Sequence, residues 1–234
     1  MDERYYQHYD LMFSEKDYAG EVATLVGIYR DHMGRPPERV LDLGCGTGNH
    51  ARQLRDCGCS VWAWDSDEKM LALARLKLAG VRFGLPSHNV RMDMVVSMFH
   101  VANYCLAVPD LLALFNLARR VLRPGGLFIF DAWDTSILAS DPPKDHYYEH
   151  QYDGLGVCRW ARPLYWLDYD LVCVNNDTQI NNHGNLVDRF SWEYSHRMWT
   201  PVVIADCLEM VGFSDSQAPA QPWGKRGLLF MGVK

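Results

Sequence analysis

The chain lacks the features that mark nucleic-acid-binding and membrane proteins. No lysine or arginine run stands out among its 23 basic residues, and 29 acidic residues leave a formal net charge of −6. The electrostatic footprint of a nucleic-acid binder is therefore missing. No apolar stretch is long enough to cross a bilayer, and the polar, aromatic N-terminus does not resemble a secretion signal. We expect a cytoplasmic protein that acts on neither nucleic acid nor a membrane.

Cysteine is present in an odd number, seven. Cys57 and Cys59 are too close together for an ordinary disulfide or for zinc-ribbon spacing. We expect buried, reduced thiols and no metal site. Internal repeats and low-complexity tracts are also absent. With 234 residues, 48% of them hydrophobic, the chain is long enough for one large domain.

Short apolar runs alternate with helical periodicity in the first half of the chain. Arg39–Leu43 and Ser60–Asp65 are typical of buried parallel strands, and Asn49–Cys57 and Glu68–Leu78 have helical spacing. This order predicts an α/β fold of the Rossmann-like type, a mostly parallel seven-stranded sheet between helices. Further elements are predicted as a strand over Met94–Phe99, a helix over Leu111–Leu122, a turn over Arg123–Gly126, a strand over Leu127–Asp131, a helix over Pro201–Val211 and a strand over Leu228–Val233.

The pattern changes between about residues 140 and 197, where strand-like bursts alternate with the turn signals Asp153-Gly154 and His183-Gly184. This segment is interpreted as an antiparallel insertion that forms a substrate lid. Residues 1–36 carry aromatic and apolar residues at helical spacing and predict one or two helices, an N-terminal lid. The core is then 37–139 with 198–234, all within a single domain.

Three glycines follow the first predicted strand. Gly44, Gly46 and Gly48 let the backbone turn tightly and approach a ligand at the start of the next helix. Asp65 ends the following strand, where a carboxylate can accept hydrogen bonds from both ribose hydroxyls of a nucleotide cofactor. Asp42 lies inside the first strand, where it can meet the amino group of a methionine-type ligand and would repel a dinucleotide's phosphates.

Gly46 to Ala51 also fits the G-x-G-x-x-A pattern of nicotinamide-dependent enzymes, so an oxidoreductase is one alternative. However, Val40–Gly48, Trp64–Leu71 and Leu122–Gly126 closely resemble motifs of class I S-adenosylmethionine-dependent methyltransferases. No tyrosine is followed by lysine four residues later, as in short-chain dehydrogenases. The resemblance implies S-adenosylmethionine as cofactor, held by Tyr18, Asp42, Gly44, Cys45, Gly46, Gly48, Asp65, Ser66, Met70, Leu85 and Met98.

Tyr9-Asp10, Lys16–Glu21 and Val96–Phe99 resemble the small bacterial methyltransferases of nucleotide-linked amino sugars. This implies methyl transfer to an amine or hydroxyl of a small polar acceptor, a class that includes sugar nucleotides. In that family the N-terminal helix closes over the cofactor, and Tyr9 and Tyr18 occupy the positions of its site tyrosines. The resemblance does not decide between nitrogen and oxygen, or between a monomer and a homodimer.

Candidate catalytic residues follow the fourth predicted strand, where ligands bind in such sheets. His100 is the first choice as general base, ahead of Asn103 and Tyr104, although a structural role for His100 is equally open. In the insertion, Glu193 and His196 are candidates. The aromatic residues around them suit ring stacking or the insertion's own core; they are Trp160, Tyr165, Trp166, Tyr169 and Trp192.

The segment from Val81 to Met94 is shorter than usual and lacks the acid expected near the adenine. This departure keeps open a protein that binds the cofactor without turnover. Asp131, at the end of the fifth strand, lacks the neighbouring carboxylate and amide of metal-assisted O-methyltransferases, so no catalytic metal is predicted.

Overall fold

Helices and strands alternate from residue 39 to residue 133, and strands dominate the stretch that follows. The computed structural model describes residues 2–133, 142–166, 169–217 and 227–234. In chain order the elements are α1 (Glu3–Gln7), α2 (Tyr9–Met12), α3 (Tyr18–Met33), β1 (Arg39–Leu43), α4 (Asn49–Asp56), β2 (Ser60–Trp64), α5 (Glu68–Lys77), β3 (Arg82–Phe83), β4 (Met92–Ser97), a 3₁₀ helix (Val101–Tyr104), α6 (Val108–Val121), β5 (Leu122–Trp133), β6 (His146–Tyr152), β7 (Leu155–Trp166), β8 (Leu171–Asn182), β9 (Asn185–Arg197), α7 (Pro201–Val211), β10 (Ser214–Gln217) and β11 (Gly227–Val233).

The larger sheet has seven strands in the order β10-β11-β5-β4-β1-β2-β3. Its first five strands in the sequence pair in parallel, and β11 and β10 add an antiparallel edge. The predicted mostly parallel, seven-stranded α/β fold is confirmed. Strands β1 and β4 lie in the middle of this sheet, and their residues are almost entirely buried. Their carboxyl ends lie at the edge of the sheet where ligands bind in folds of this type.

The structure corrects some predicted boundaries. Strand β4 ends at Ser97, because Phe99 and His100 adopt left-handed backbone angles (φ 70° and 63°) that no strand accommodates. The predicted turn at Arg123–Gly126 instead lies inside β5, where the pairing with β4 shifts between Met92 and Met94. Gly126 is needed there, since a Cβ would lie 3.0 Å from the Asp93 carbonyl oxygen. Three N-terminal helices form rather than one or two.

The smaller sheet consists of β6, β7, β8 and β9 in that order, with all neighbours antiparallel. Both predicted hairpin turns are present, with positive φ at Asp153-Gly154 and at His183-Gly184, as two-residue hairpin loops require. Along β8 the even-numbered residues from Val172 to Ile180 are buried, and the residues between them are partly exposed. The sheet thus has one covered and one open face.

The chain divides into two compact units, one of Met1–Lys16 with Ser136–Met198 and the other of Asp17–Thr135 with Trp199–Lys234. Helix α3 therefore belongs to the unit of the larger sheet, whereas the sequence grouped residues 1–36 as one lid. The physical reason is burial, because Val22, Leu25 and Tyr29 are fully buried in that unit's core. The role of the insertion as a lid stays a prediction.

All seven cysteines are free, but they are not uniformly buried: Cys57 is exposed, whereas Cys45, Cys59 and Cys207 are buried. In the part of the chain that the structure describes, no helix is long and apolar enough to cross a membrane. Within the same residues no cluster of three or more histidine, cysteine, aspartate or glutamate side chains is placed to hold a metal ion.

Candidate active site

The glycine loop connects β1 to α4. Gly44, Gly46 and Gly48 all have positive φ (81°, 55° and 85°), a conformation that glycine adopts without steric cost. A Cβ on Gly44 would lie 2.6 Å from a methyl group of Val101, and one on Gly48 would collide with Leu78. At these two positions a side chain would displace Val101 or Leu78 in addition to the strain of a positive φ, a packing contribution that the sequence did not reveal.

Asp65 is hydrogen-bonded to the glycine loop. Its Oδ2 accepts the N–H of Gly46 at 2.7 Å, and its Oδ1 accepts the N–H of Asp67 at 2.9 Å. Burial raises the pKa of this carboxyl. A carboxylate offers about four lone-pair positions, so two backbone hydrogen bonds leave room for ligand hydroxyls. The loop and the acid, predicted as separate halves of the cofactor site, form one hydrogen-bonded unit.

Asp42 is buried inside β1 and is only 1% exposed. Burial raises its pKa to about 6, the nearby Asp65 adds to the rise, and His50 opposes it. Among the described residues no group donates a hydrogen bond to Asp42 Oδ2. A buried acceptor without a donor is costly, and a ligand ammonium group would satisfy it. The residues present therefore fit the methionine end of S-adenosylmethionine.

His50, which lies close enough to Asp42 to affect its pKa, is paired with Glu21, and sequence analysis singled out neither residue. His50 Nε2 is 2.7 Å from Glu21 Oε2, and both side chains are buried. The ring of Tyr18 packs edge-on against His50 at 4.9 Å. This places the predicted site residue Tyr18 and the first turn of α3 beside the helix that follows the glycine loop. The only feature of the sequence that could have indicated this pair is a histidine in the first turn of α4.

The other predicted cofactor residues differ in exposure. Cys45, Met70 and Met98 are buried, and burial raises the pKa of the Cys45 thiol. Leu85 is partly buried against the core, whereas Ser66 is exposed. Strand β3 is only two residues long, as the shortened segment predicts. How these residues contact the cofactor stays a prediction.

His100 is held by Asp131 at the carboxyl ends of the neighbouring strands β4 and β5. The His100 N–H donates to Asp131 Oδ1 at 2.8 Å, and His100 Nδ1 lies 3.3 Å from Asp131 Oδ2. Asp131 is buried, while the His100 side chain is 23% exposed. The carboxylate therefore lies beside Nδ1 of the imidazole. Sequence analysis considered Asp131 only as a metal ligand, because its proximity to His100 is a tertiary contact.

Asn103 and Tyr104, the other candidates near His100, lie in the 3₁₀ helix. Asn103 is buried, and its amide oxygen accepts the N–H of Trp133 at 3.1 Å; a role at the methyl acceptor stays a prediction. The Trp199 indole N–H donates to the carbonyl oxygens of Ala102 and Cys105. Tyr104 is half-exposed at the end of the 3₁₀ helix, and its catalytic role stays a prediction.

The two candidates Glu193 and His196 lie on opposite faces of the smaller sheet, and their functional roles stay a prediction. His196 is buried, whereas Glu193 is exposed, because side chains three residues apart on a strand point to opposite faces. Tyr9 packs between Tyr5 and Phe13, at ring distances of 5.6 and 4.9 Å. Tyr9, a catalytic candidate, and Tyr18, a cofactor candidate, belong to different units, and both roles stay predictions.

The insertion aromatics are also divided between its two faces. Trp192 is buried and packs against Tyr5 at 4.8 Å, as in the structural interpretation. Trp166 and Tyr169 are 47% and 65% exposed. The aromatics are therefore not one stacking surface.

Comparison with known proteins agrees with this geometry. Residues 40–126 match the family model described as a methyltransferase domain. A malonyl-[acyl-carrier protein] O-methyltransferase of Enterobacter lignolyticus is 37% identical over 112 residues, which are 45% of this chain and 41% of that protein. The chain thus spans about two fifths of that relative's length.

Two solved structures share the fold over nearly the whole chain. DesVI of Streptomyces venezuelae superposes with a TM-score of 0.84 at 22% identity, covering 100% of this chain and 98% of that one. CalS10 of Micromonospora echinaspora, an amino pentose methyltransferase solved with S-adenosylmethionine, gives a TM-score of 0.81 at 22% identity, covering 97% and 95%.

Residues 40–126 are thus similar to a methyltransferase domain, and the chain has the Rossmann-like methyltransferase fold of DesVI and CalS10. This similarity favours S-adenosylmethionine over a nicotinamide as the cofactor.

Proposed function

We propose that the protein transfers the methyl group of S-adenosylmethionine to an amine or hydroxyl of a small polar acceptor, with His100 as general base. The observation that carries this proposal is the contact of His100 with Asp131, a buried carboxylate at the end of the neighbouring strand. Val101, the residue after His100, packs against Gly44. The candidate base therefore adjoins the glycine loop within one unit.

The cofactor, when bound, supplies an activated methyl group on a sulfonium. Transfer of that methyl group to the acceptor nitrogen or oxygen would leave the bonding electron pair on sulfur, in S-adenosylhomocysteine. The chain's part is to align the reactants and to remove the acceptor's proton. His100 takes that proton at Nε2, while Asp131 Oδ2 lies 3.3 Å from Nδ1, as a carboxylate lies beside the histidine in other general-base enzymes.

The backbone at His100 supports a functional role. A non-glycine residue with positive φ costs of order 1 kcal/mol or more, and Phe99 and His100 both adopt such angles. The hydrogen bond from the His100 N–H to Asp131 offsets part of that cost. Strained backbone that presents a titratable ring at a ligand crevice is typical of functional sites.

The class of acceptor is inferred from the solved structures that share the fold, and not from the pair formed by His100 and Asp131. An amino pentose methyltransferase shares the fold, and this likeness supports a sugar, including a nucleotide-linked sugar, as acceptor. The curated relative is named as an O-methyltransferase, which leaves oxygen beside nitrogen as the atom methylated.

The proposal is tested by supplying S-adenosylmethionine with a panel of amino sugars, neutral sugars and sugar nucleotides as acceptors. The measurement is the formation of S-adenosylhomocysteine with each acceptor. We expect His100→Gln to lower kcat by about 10²- to 10⁴-fold without changing the calorimetric Kd for S-adenosylhomocysteine. His32→Gln is the matched control, since His32 is exposed near the end of α3. Unchanged turnover in His100→Gln would show that His100 is not the general base. Cofactor binding without turnover on any acceptor would favour a non-catalytic binding protein.

A further inference from the structure

Asp42 receives a hydrogen bond from the first turn of α4, the helix that follows the glycine loop. The donor is the N–H of Ala51, and His50 directly precedes Ala51 in the chain. Asp42, His50 and Ala51 are all buried. The His50 imidazole thus belongs to the same helical turn that contacts Asp42, and burial strengthens any electrostatic interaction between the two side chains.

Several groups act on the charge of Asp42. Burial disfavours its ionised form, and Asp65, the acid that is hydrogen-bonded to the glycine loop, disfavours it further. His50 and the Ala51 N–H act in the opposite direction, and His50 has the larger effect of these two. The thiol of the neighbouring Cys45 stays neutral, since burial raises its pKa. A positive charge favours a nearby carboxylate, so His50 acts on Asp42 as an imidazolium.

Glu21 supplies the partner that a buried imidazolium needs. His50 Nε2 lies 2.7 Å from Glu21 Oε2, and the two side chains are 7% and 8% exposed. The ring of Tyr18 packs edge-on against the same imidazole at 4.9 Å. A buried charge is costly unless it is paired and hydrogen-bonded, and the Glu21 carboxylate provides both the opposite charge and the acceptor. All of these residues belong to the same unit of the chain.

The charges of this cluster match those of an amino acid ligand. When ionised, Glu21 and Asp42 carry two negative charges and His50 carries one positive charge. Among the described residues no group donates a hydrogen bond to Asp42 Oδ2. An ammonium group at Asp42 would supply that donor and a second positive charge, which leaves a buried cluster with two charges of each sign. Such pairing is the condition under which buried charges are stable.

We propose that Glu21 and His50 are positioning residues for the cofactor, and that His50 keeps Asp42 ionised where it receives the ammonium group of S-adenosylmethionine. Neither residue touches the ligand in this proposal, because Glu21 holds the imidazole and His50 acts through Asp42. The inference rests on the proposed function in taking Asp42 as the acid that binds this end of the cofactor. It adds a role for α3, through Glu21, in setting the pH range over which the cofactor binds.

The pH dependence of binding distinguishes this electrostatic role from a structural one. The probe is S-adenosylhomocysteine, titrated calorimetrically into the full-length protein from about pH 5.5 to about pH 8.5. In wild type, binding should weaken as the pH falls through about 6, the pKa of Asp42. His50→Gln removes the positive charge and makes Asp42 harder to ionise, so this midpoint should rise by about one pH unit. The Kd should then exceed that of wild type by about fivefold near pH 6 and by less than about twofold at pH 8.5, where Asp42 is ionised in both proteins.

Arg52→Gln is the matched control, because it removes a positive charge from an exposed position on the same helix, where salt and water screen it. Its midpoint should equal that of wild type. In an Asp42→Asn background, His50→Gln should cause no pH-dependent change in Kd, since the group through which it acts is gone. If His50→Gln does not fold, Glu21→Gln, which keeps the ring but removes its carboxylate, should raise the midpoint in the same direction.

Two results would overturn the proposal. A Kd that rises by the same factor at every pH would make the pair a structural support of α4, and an unchanged Kd would separate the pair from the ligand. No methyl acceptor is present in these titrations, so they are independent of whether turnover is found. Failure of wild type to bind S-adenosylhomocysteine at any pH would refute the cofactor site itself and this inference with it.

Discussion

His50 Nε2 lies 2.7 Å from Glu21 Oε2, and the two side chains are only 7% and 8% exposed. This buried pair joins the first turn of α3 to the first turn of α4, the helix that begins at the glycine loop. His50 also lowers the pKa of Asp42. The pair therefore stabilises the position of the helix that begins at the glycine loop, and its histidine affects the ionisation of Asp42.

Breaking this pair should be costly. We expect Glu21→Gln and His50→Gln each to lower the free energy of unfolding by about 2–4 kcal/mol, because each leaves a buried polar group without its partner. The double variant should lose less than the sum of the two single changes. Urea denaturation measures these values, with Glu38→Gln as an exposed control. Strict additivity would show that the two side chains act independently.

Asp42 should make cofactor affinity depend on pH. Its pKa is raised to about 6 by burial, so the carboxylate that would bind a ligand ammonium is lost as the pH falls through about 6. Calorimetry should therefore show S-adenosylhomocysteine binding weaken below that pH. A pH-independent Kd between pH 5 and 8 would contradict this role of Asp42.

The raised pKa of Asp42 also makes the stability of the fold depend on pH. Ligand binding is favoured by high pH, whereas folding stability is favoured by low pH. Because the folded-state pKa lies above the unfolded value of 3.8, the unfolded state loses this proton first as the pH rises. Asp42 then destabilises the fold progressively between about pH 4 and pH 6, by up to about 3 kcal/mol. Asp42→Asn should gain stability relative to wild type over that range, as measured by urea denaturation at each pH. A constant difference between the two proteins would be the contrary result.

Asp65 should be essential for the cofactor. Asp65→Ala removes the acceptor of the Gly46 and Asp67 N–H groups and the predicted ribose contact. We expect the Kd for S-adenosylhomocysteine to rise by about 30-fold or more, the scale of losing a buried charged hydrogen-bond partner. Asp56→Ala is the control, since Asp56 is exposed at the end of α4. Retained wild-type affinity in Asp65→Ala would refute the predicted ribose site.

Asp131 should act through His100. Asp131→Asn removes the charge that faces His100 Nδ1, so the ring loses its preferred orientation and tautomer. We expect kcat to fall at least about tenfold, with KM for S-adenosylmethionine little changed. A variant with both Asp131→Asn and His100→Gln should be no slower than His100→Gln alone. Additive losses would argue against a shared role.

Two glycine-to-alanine substitutions should change the stability of the protein in opposite directions. Gly184 has φ of 81° in the β8–β9 hairpin, and Gly27 lies in α3; a Cβ would meet nothing within 4 Å at either position. Gly184→Ala should destabilise by about 1 kcal/mol because alanine is strained at positive φ. Gly27→Ala should stabilise by up to about 1 kcal/mol through helix propensity. Thermal unfolding measures both, and equal signs would contradict the assignment of strain to the turn.

Local patterns were sufficient for most of the fold. Gly44, Gly46 and Gly48 after an apolar run predicted a strand, a loop and a helix, and Asp65 was located at the end of the next strand, because each signal spans only a few residues. The turns at Asp153-Gly154 and His183-Gly184 were predicted for the same reason. Boundaries failed where tertiary context overrode the local signal, as in β5, whose Pro-Gly-Gly segment continues as an irregular strand beside β4.

The sequence by itself determined the α/β class, the glycine loop with its acid, and the antiparallel insertion, since periodicity and turn chemistry are written in neighbouring residues. Only the tertiary structure decided which distant side chains meet. His100 and Asp131 are 31 residues apart, and Glu21 and His50 are 29 apart, so packing of separate elements creates both pairs. It also decided that His196 is buried and Glu193 exposed, because which face of a sheet is covered depends on what packs against it.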